Sequence, residues 1–210
     1  MLKYILGAGA LLVIIGGALY VLETQKANTP GEPSPGSGVG AMATSTYATS
    51  TYSIIYPADY IKDEMYAYDQ FGPEKLIHGV RFTIPGTMAT GTNLSADTYV
   101  SVEQLPRAKN CTADIYIKKD VRANELTDNG MQYSVATSSE GAAGNAYEEI
   151  VYALKGSSPC MAVRYLLHST DIHSYEPGTV QEFDRAALMS SFDEIRHSLQ
   201  LTQPEPMMQP

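Results

Sequence analysis

An unbroken run of nineteen residues without a charge, Tyr4 to Leu22 (YILGAGALLVIIGGALYVL), constrains this chain more than any other feature. At 1.5 Å per residue a helix of that length extends about 28 Å, close to the hydrocarbon thickness of a bilayer. A buried core helix needs only a shorter run of about 10–14 residues. A cleaved signal peptide carries an apolar stretch of about 7–15 residues followed by small residues at the cleavage site. Here the run ends in Tyr20-Val21-Leu22-Glu23, and the first Ala-x-Ala is Ala41-Met42-Ala43. No cysteine stands at the end of the run to accept a lipid. Residues 4–22 are therefore expected to form an uncleaved, single-pass transmembrane anchor in the cell membrane. Lys3 lies on one side of the run, with Glu23 and then Lys26 on the other. The positive-inside bias then leaves residues 1–3 in the cytoplasm and places the C-terminal domain outside.

Residues 23–51 read as a flexible linker. From Ala27 to Thr51 (ANTPGEPSPGSGVGAMATSTYATST) proline, glycine, serine and threonine dominate and no apolar period appears. Such a segment buries too little surface to offset its conformational entropy. As a coil of about 25 residues it spans ~25–30 Å. Residues 52–202 are long enough for one domain with its own core. They are followed by a proline- and methionine-rich tail, 203–210, expected to be disordered.

The net charge of −9 lies entirely beyond the linker, because Lys3 and Lys26 offset Glu23 and Glu32. An acidic domain is repelled by phosphate backbones and anionic headgroups, so nucleic acid is not expected as a partner. Contact with the membrane is expected through the N-terminal helix alone. Cys111 and Cys160 are the two cysteines. In an exported domain an even pair reads most simply as a disulfide; two buried thiols, or one nucleophilic thiol, are the rival readings.

Strand signals fill most of the domain. Tyr52–Pro57 is short, aromatic and β-branched; Gly79–Ile84 alternates Val80, Phe82 and Ile84 against Arg81 and Thr83. In Thr98–Leu105, Val100 and Val102 share one face and Tyr99, Ser101 and Glu103 the other. Asp128-Asn129-Gly130 signals a tight hairpin turn. Strands at 131–138, 145–154 and 160–168, joined by turns of about five residues (140–144 and 155–158), predict an antiparallel meander. Then the period changes. Thr179-Val180-Gln181-Glu182 has the form of a capping box. Phe183, Ala187, Leu188, Phe192, Ile195 and Leu199 form one helical stripe, with Asp184, Arg185, Asp193, Glu194 and Arg196 opposite. The expected fold class is α+β: an antiparallel sheet with a C-terminal amphipathic helix packed on it.

The segments YSIIYPADY at 52–60 and FDRAALMSSFDEIRHSL at 183–199 resemble the PsbP-like (Mog1-type) domains. GTNLSADTYVSVEQLP and SSPCMAVRYLLHST are similar to stretches of membrane-anchored bacterial proteins. The resemblance implies an α/β/α sandwich with accessory or binding roles and no shared catalytic residues.

Known catalytic patterns are missing from the sequence. It contains no HExxH, no Walker lysine loop, no GxGxxG and no nucleophile elbow. His168, Asp171 and His173 (HSTDIH) are the one local cluster of ligand types, in a spacing that matches no standard zinc pattern. Glu148 and Glu149 alternate to opposite faces of a strand, with Arg164 on the next strand as a partner. Neither a cofactor, a metal nor a catalytic residue is expected. Tyrosine is abundant, with fifteen residues against four phenylalanines and no tryptophan. The segment 56–71 (YPADYIKDEMYAYDQF) reads as an aromatic, acidic binding loop, with Tyr60, Tyr66 and Tyr68 as candidate contacts. These features predict a non-catalytic, membrane-anchored binding or accessory domain of the bacterial envelope. Its partner is expected to be another envelope protein or surface component. The competing expectation is an envelope hydrolase or metal-dependent enzyme built on His168, Asp171 and His173.

Overall fold

A computed structural model describes residues 43–202. The expectations for the cytoplasmic N-terminus, the anchor at 4–22, most of the linker and the tail at 203–210 lie outside the described residues. Among the described residues, no helix is long and apolar enough to cross a membrane.

The strands are Thr44–Ala48 (β1), Tyr52–Pro57 (β2), Ile61–Asp63 (β3), Ala67–Tyr68 (β4), Ile77–Thr83 (β5) and Tyr99–Leu105 (β6). They continue as Asn124–Asp128 (β7), Met131–Ala142 (β8), Asn145–Leu154 (β9), Cys160–Thr170 (β10) and Gln200–Leu201 (β11). Gly86–Ala89 makes one helical turn (α1), and Arg185–His197 is the long helix (α2). The main sheet is ordered β3-β5-β6-β10-β9-β8-β7, with β4 also paired to β5; a small second sheet is ordered β1-β2-β11. Every pairing between these strands is antiparallel. The fold is a sheet-dominated α+β domain.

Side-chain alternation explains why the central strands are buried on both faces. Met161, Val163, Tyr165 and Leu167 of β10 join Val80, Phe82, Val100 and Val102 in the larger core. That core is closed by β2 (Tyr52, Ile54, Tyr56) and by the α2 stripe of Leu188, Phe192, Ile195 and Leu199. On the opposite face, Cys160, Ala162, Val151 and Ala153 pack beneath Tyr66, Tyr68, Ala113, Tyr116 and Ile117. Loops and a single 3₁₀ turn at Ala113–Tyr116 cover this second face, where the family resemblance implies a further helical layer. At Gly79 the strands β5 and β6 come so close that a Cβ would lie 2.1 Å from the Val102 carbonyl oxygen. Only glycine fits there.

Four local expectations are corrected. Residues 44–51 are not linker: β1 pairs along β2, and Tyr47 packs against Tyr52 and Phe82. Threonine and tyrosine favour strands, but the segment has no alternating apolar residues to mark one, so the strand is fixed by its pairing with β2. The turn between β8 and β9 is two residues, not five; Ala143 and Gly144 both take positive φ, and the strands run to either side of them. The capping box is not used. Gln181 is held against Thr92 and Thr179 Oγ1 donates to the Glu176 carbonyl, so α2 starts later, with Asp184 accepting from the Ala187 N–H at 2.9 Å. Arg196 is not on the solvent face. It is buried over the rings of Tyr133 and Tyr152, and its guanidinium reaches Asp193 and Asp128.

Candidate functional site

The second face of the main sheet carries a buried charge cluster built by the strand register. Glu103 pairs across from Ala162, and Glu149 across from Leu166, so each carboxylate lies two residues diagonally from Arg164. Long side chains bridge such diagonals. Arg164 donates from Nε and Nη2 to the two oxygens of Glu103 at 2.7 and 2.9 Å, a bidentate pair in which neither side chain is exposed. Its Nη1 donates to Glu149 Oε2 at 3.0 Å, and Nη2 also reaches the Tyr116 carbonyl at 2.7 Å.

The tyrosines complete the cluster from above. Tyr66 donates to Glu103 Oε1 at 3.3 Å, so the 2.9 Å contact between the Tyr66 and Tyr99 hydroxyls uses the Tyr99 proton. Ser101 Oγ donates to the same Glu103 oxygen at 2.8 Å. Tyr68 donates to both oxygens of Glu149, at 3.1 and 3.3 Å, while its ring lies 3.6 Å from the Arg164 guanidinium carbon. Burial pushes the Tyr66 and Tyr68 hydroxyls far up and Tyr99 up to about 12, so all three remain protonated donors. Glu103 itself is fully partnered, whereas Arg81 Nε, buried beside the Tyr66 and Tyr99 rings, has no partner among the described residues.

Charge is not matched. Two carboxylates surround one guanidinium, leaving one excess negative charge. Glu103 is sealed, whereas the Glu149 side chain is 17% exposed and opens into a cleft of about 670 Å³ walled by Tyr66, Tyr68, Arg81, Tyr99 and Tyr147. Loss of solvent raises the Glu149 carboxyl above its ordinary value, against the attraction of Arg164. An ionised carboxylate in that condition gains from a cation brought to its open side. Arg81 on the far wall is already engaged with Asp63 at 3.0 Å.

The residues expected to form one aromatic surface are separated and buried. Tyr60 lies in the larger core, its hydroxyl 3.4 Å from Ser191 Oγ of α2; Tyr66 and Tyr68 lie on the opposite face, roofing the charge cluster. Tyrosine looks like a surface residue in sequence because its polar tip needs a partner, and here carboxylates supply it. Cys111 and Cys160 are joined in a disulfide, which pins the 106–123 loop onto this face. The Arg164–Glu149 pair follows the alternation of β9 and β10, and Glu148, on the other face, pairs with Arg185. His168 does not converge with Asp171 and His173. Its two ring nitrogens face Asp97 and Asn145, at 2.7 and 3.2 Å, while His173 is bound to Asp171. No cluster of three metal-ligating side chains occurs among the described residues. Glu103 shares a face of β6 with Tyr99 and Ser101, and all three are buried. The burial of Glu103 follows from the place of β6 between β5 and β10, which no local sequence signal announces.

No protein-family model matches the sequence, and no curated protein matches it. A crystal structure from Bacteroides thetaiotaomicron VPI-5482 is similar at a TM-score of 0.42 and 9% identity, over 78% of this chain and 50% of that one. This chain thus spans about half the length of that protein, a likeness that places no constraint on what the chain does.

Proposed function

We propose that this chain is a single-pass membrane protein whose domain lies outside the cell and captures a cationic group of another envelope component, without catalysis. The anchor is the uncharged run at 4–22, oriented with its N-terminus in the cytoplasm. The resemblance of 52–60 and 183–199 to PsbP-like domains supports an accessory role of the same class. One observation carries the binding site: the Glu103–Arg164–Glu149 cluster holds an excess negative charge, and Glu149 alone of the three opens into the tyrosine-walled cleft. An ammonium or guanidinium group entering the cleft balances that charge at the open side of Glu149. Recognition then rests on the cleft floor, with Tyr66 and Tyr68 holding the carboxylates in place.

A photoreactive side chain at Asp69, on the cleft wall, tests this in intact cells expressing the full chain. The expected result is a discrete adduct whose attachment maps beside a lysine or arginine of an envelope component. Adducts spread over many proteins, or unchanged by Glu149→Gln, would remove the cleft from the account.

A further inference from the structure

We propose that β1 is a homodimerisation edge: two copies of this chain join by antiparallel pairing of their β1 strands about a two-fold axis through Thr46. The direction of the backbone groups decides which side of β1 is paired. The Ala58 N–H donates to the Ala43 carbonyl and the Thr49 N–H to the Tyr52 carbonyl, which sets odd-numbered residues of β1 as those bonded to β2. Consistently, Ile55, opposite Thr46, turns its N–H away from β1 and donates to Ser198 Oγ at 2.8 Å. In an antiparallel ladder the alternate residues then point the other way. Thr44, Thr46 and Ala48 therefore present three N–H and three carbonyl groups along the outer edge, unpaired among the described residues.

Exposed strand edges are commonly guarded by charge, proline or shortness. The other edges follow that rule. β7 carries Glu125 and Asp128, β3 carries Lys62 and Asp63, and β11 is two residues long. β1 has no guard of this kind: residues 43–57 (ATSTYATSTYSIIYP) contain no charged residue in an otherwise charge-rich domain. The nearest ammonium, Lys62, lies over the inward ring of Tyr47 and is paired with Glu64. Charge depletion is the compositional mark of an interface centre.

The edge is also complementary to itself. Its outward residues are spaced symmetrically about Thr46, so Thr44 of one copy meets Ala48 of the other, and Thr46 meets Thr46. An isologous contact needs this property, and cross-strand threonine pairs are favourable. The result is one continuous sheet of six strands, β11-β2-β1 in each copy. A charged strand finds no counter-charge on this edge, whereas the uncharged, threonine-rich β1 of a second copy leaves no charge unpaired, which favours a second copy as the occupant.

Disulfide trapping in native membranes tests the pairing on the full chain. Cα atoms directly opposite in the shared ladder lie about 5.5 Å apart, within the range that a disulfide bridges. Thr46→Cys is expected to give a covalent dimer linked through that residue, and Leu126→Cys on the β7 edge is expected to give none. Adding Thr46→Pro to a Thr44→Cys/Ala48→Cys chain is expected to abolish trapping while leaving the unfolding midpoint in place, because the N–H it removes points outward. No dimer from Thr46→Cys, equal trapping at Leu126→Cys, or a Thr46→Cys adduct to a different protein overturns the proposal.

Discussion

Glu149 Oε2 accepts from Arg164 Nη1 at 3.0 Å, and this is the point at which a sealed ion pair meets solvent. Behind it, Glu103 and Arg164 satisfy each other bidentately with no exposure. The cluster is thus anchored from within and unbalanced at its rim.

Arg164 holds two carboxylates, so its loss leaves both without a counter-charge. Breaking a buried pair from one side costs about 3–5 kcal/mol. Arg164→Met is expected to lose that much in urea unfolding. A double variant, Arg164→Met with Glu103→Leu, is expected to recover only the share due to Glu103, because Glu149 and the Tyr116 carbonyl still lack the guanidinium.

The disulfide joins residues 49 apart in sequence, and the loop that it pins delivers the Tyr116 carbonyl to Arg164. In the chain-entropy description closing such a loop stabilises by about 4 kcal/mol. Cys111→Ser/Cys160→Ser is therefore expected to lower the midpoint of thermal unfolding by about 10 °C. Wild-type protein treated with reductant is expected to match the double variant.

Asp128 ties the β7–β8 hairpin to the end of α2. Hydrogen bonds from Arg196 and His197 lower its carboxyl from 3.8 to about 2. A depressed carboxyl stabilises the folded state fully above its unfolded value and loses that contribution as pH falls through the folded value. Wild type and Asp128→Asn are thus expected to differ in stability above about pH 4 and to converge toward pH 2. Acid titration of the two unfolding midpoints measures this.

Much of the fold is legible in the sequence where the signal is local. The period-two strands at 79–84, 98–105 and 145–154, the Asn129-Gly130 turn and the Leu188–Phe192–Ile195–Leu199 stripe all have their signal within a few residues. What escaped depends on partners distant in sequence. β1 reads as linker because its threonines and serines become a strand only beside β2. Arg196 reads as solvated because nothing near it announces Tyr133, Tyr152 and Asp128, which make its burial favourable. Of the candidate site, the Glu149–Arg164 pair follows from alternation on adjacent strands. The roofing by Tyr66 and Tyr68 does not, since a tyrosine in a polar loop is compatible with either side of the surface.

The excess charge at Glu149 separates stability from binding, and that separation tests the account most directly. Glu149 is a carboxyl raised by burial, so its unfavourable contribution grows as pH rises through its folded value. Glu149→Gln keeps the shape and the contact with Tyr68 while removing the excess charge. Relief of such a site stabilises by about 1 kcal/mol. The decisive measurement compares full-length wild type and Glu149→Gln at neutral pH, recording the unfolding midpoint and the yield of the photo-adduct formed at position 69. The account predicts a midpoint that rises and an adduct that disappears. A raised midpoint with the adduct intact contradicts it.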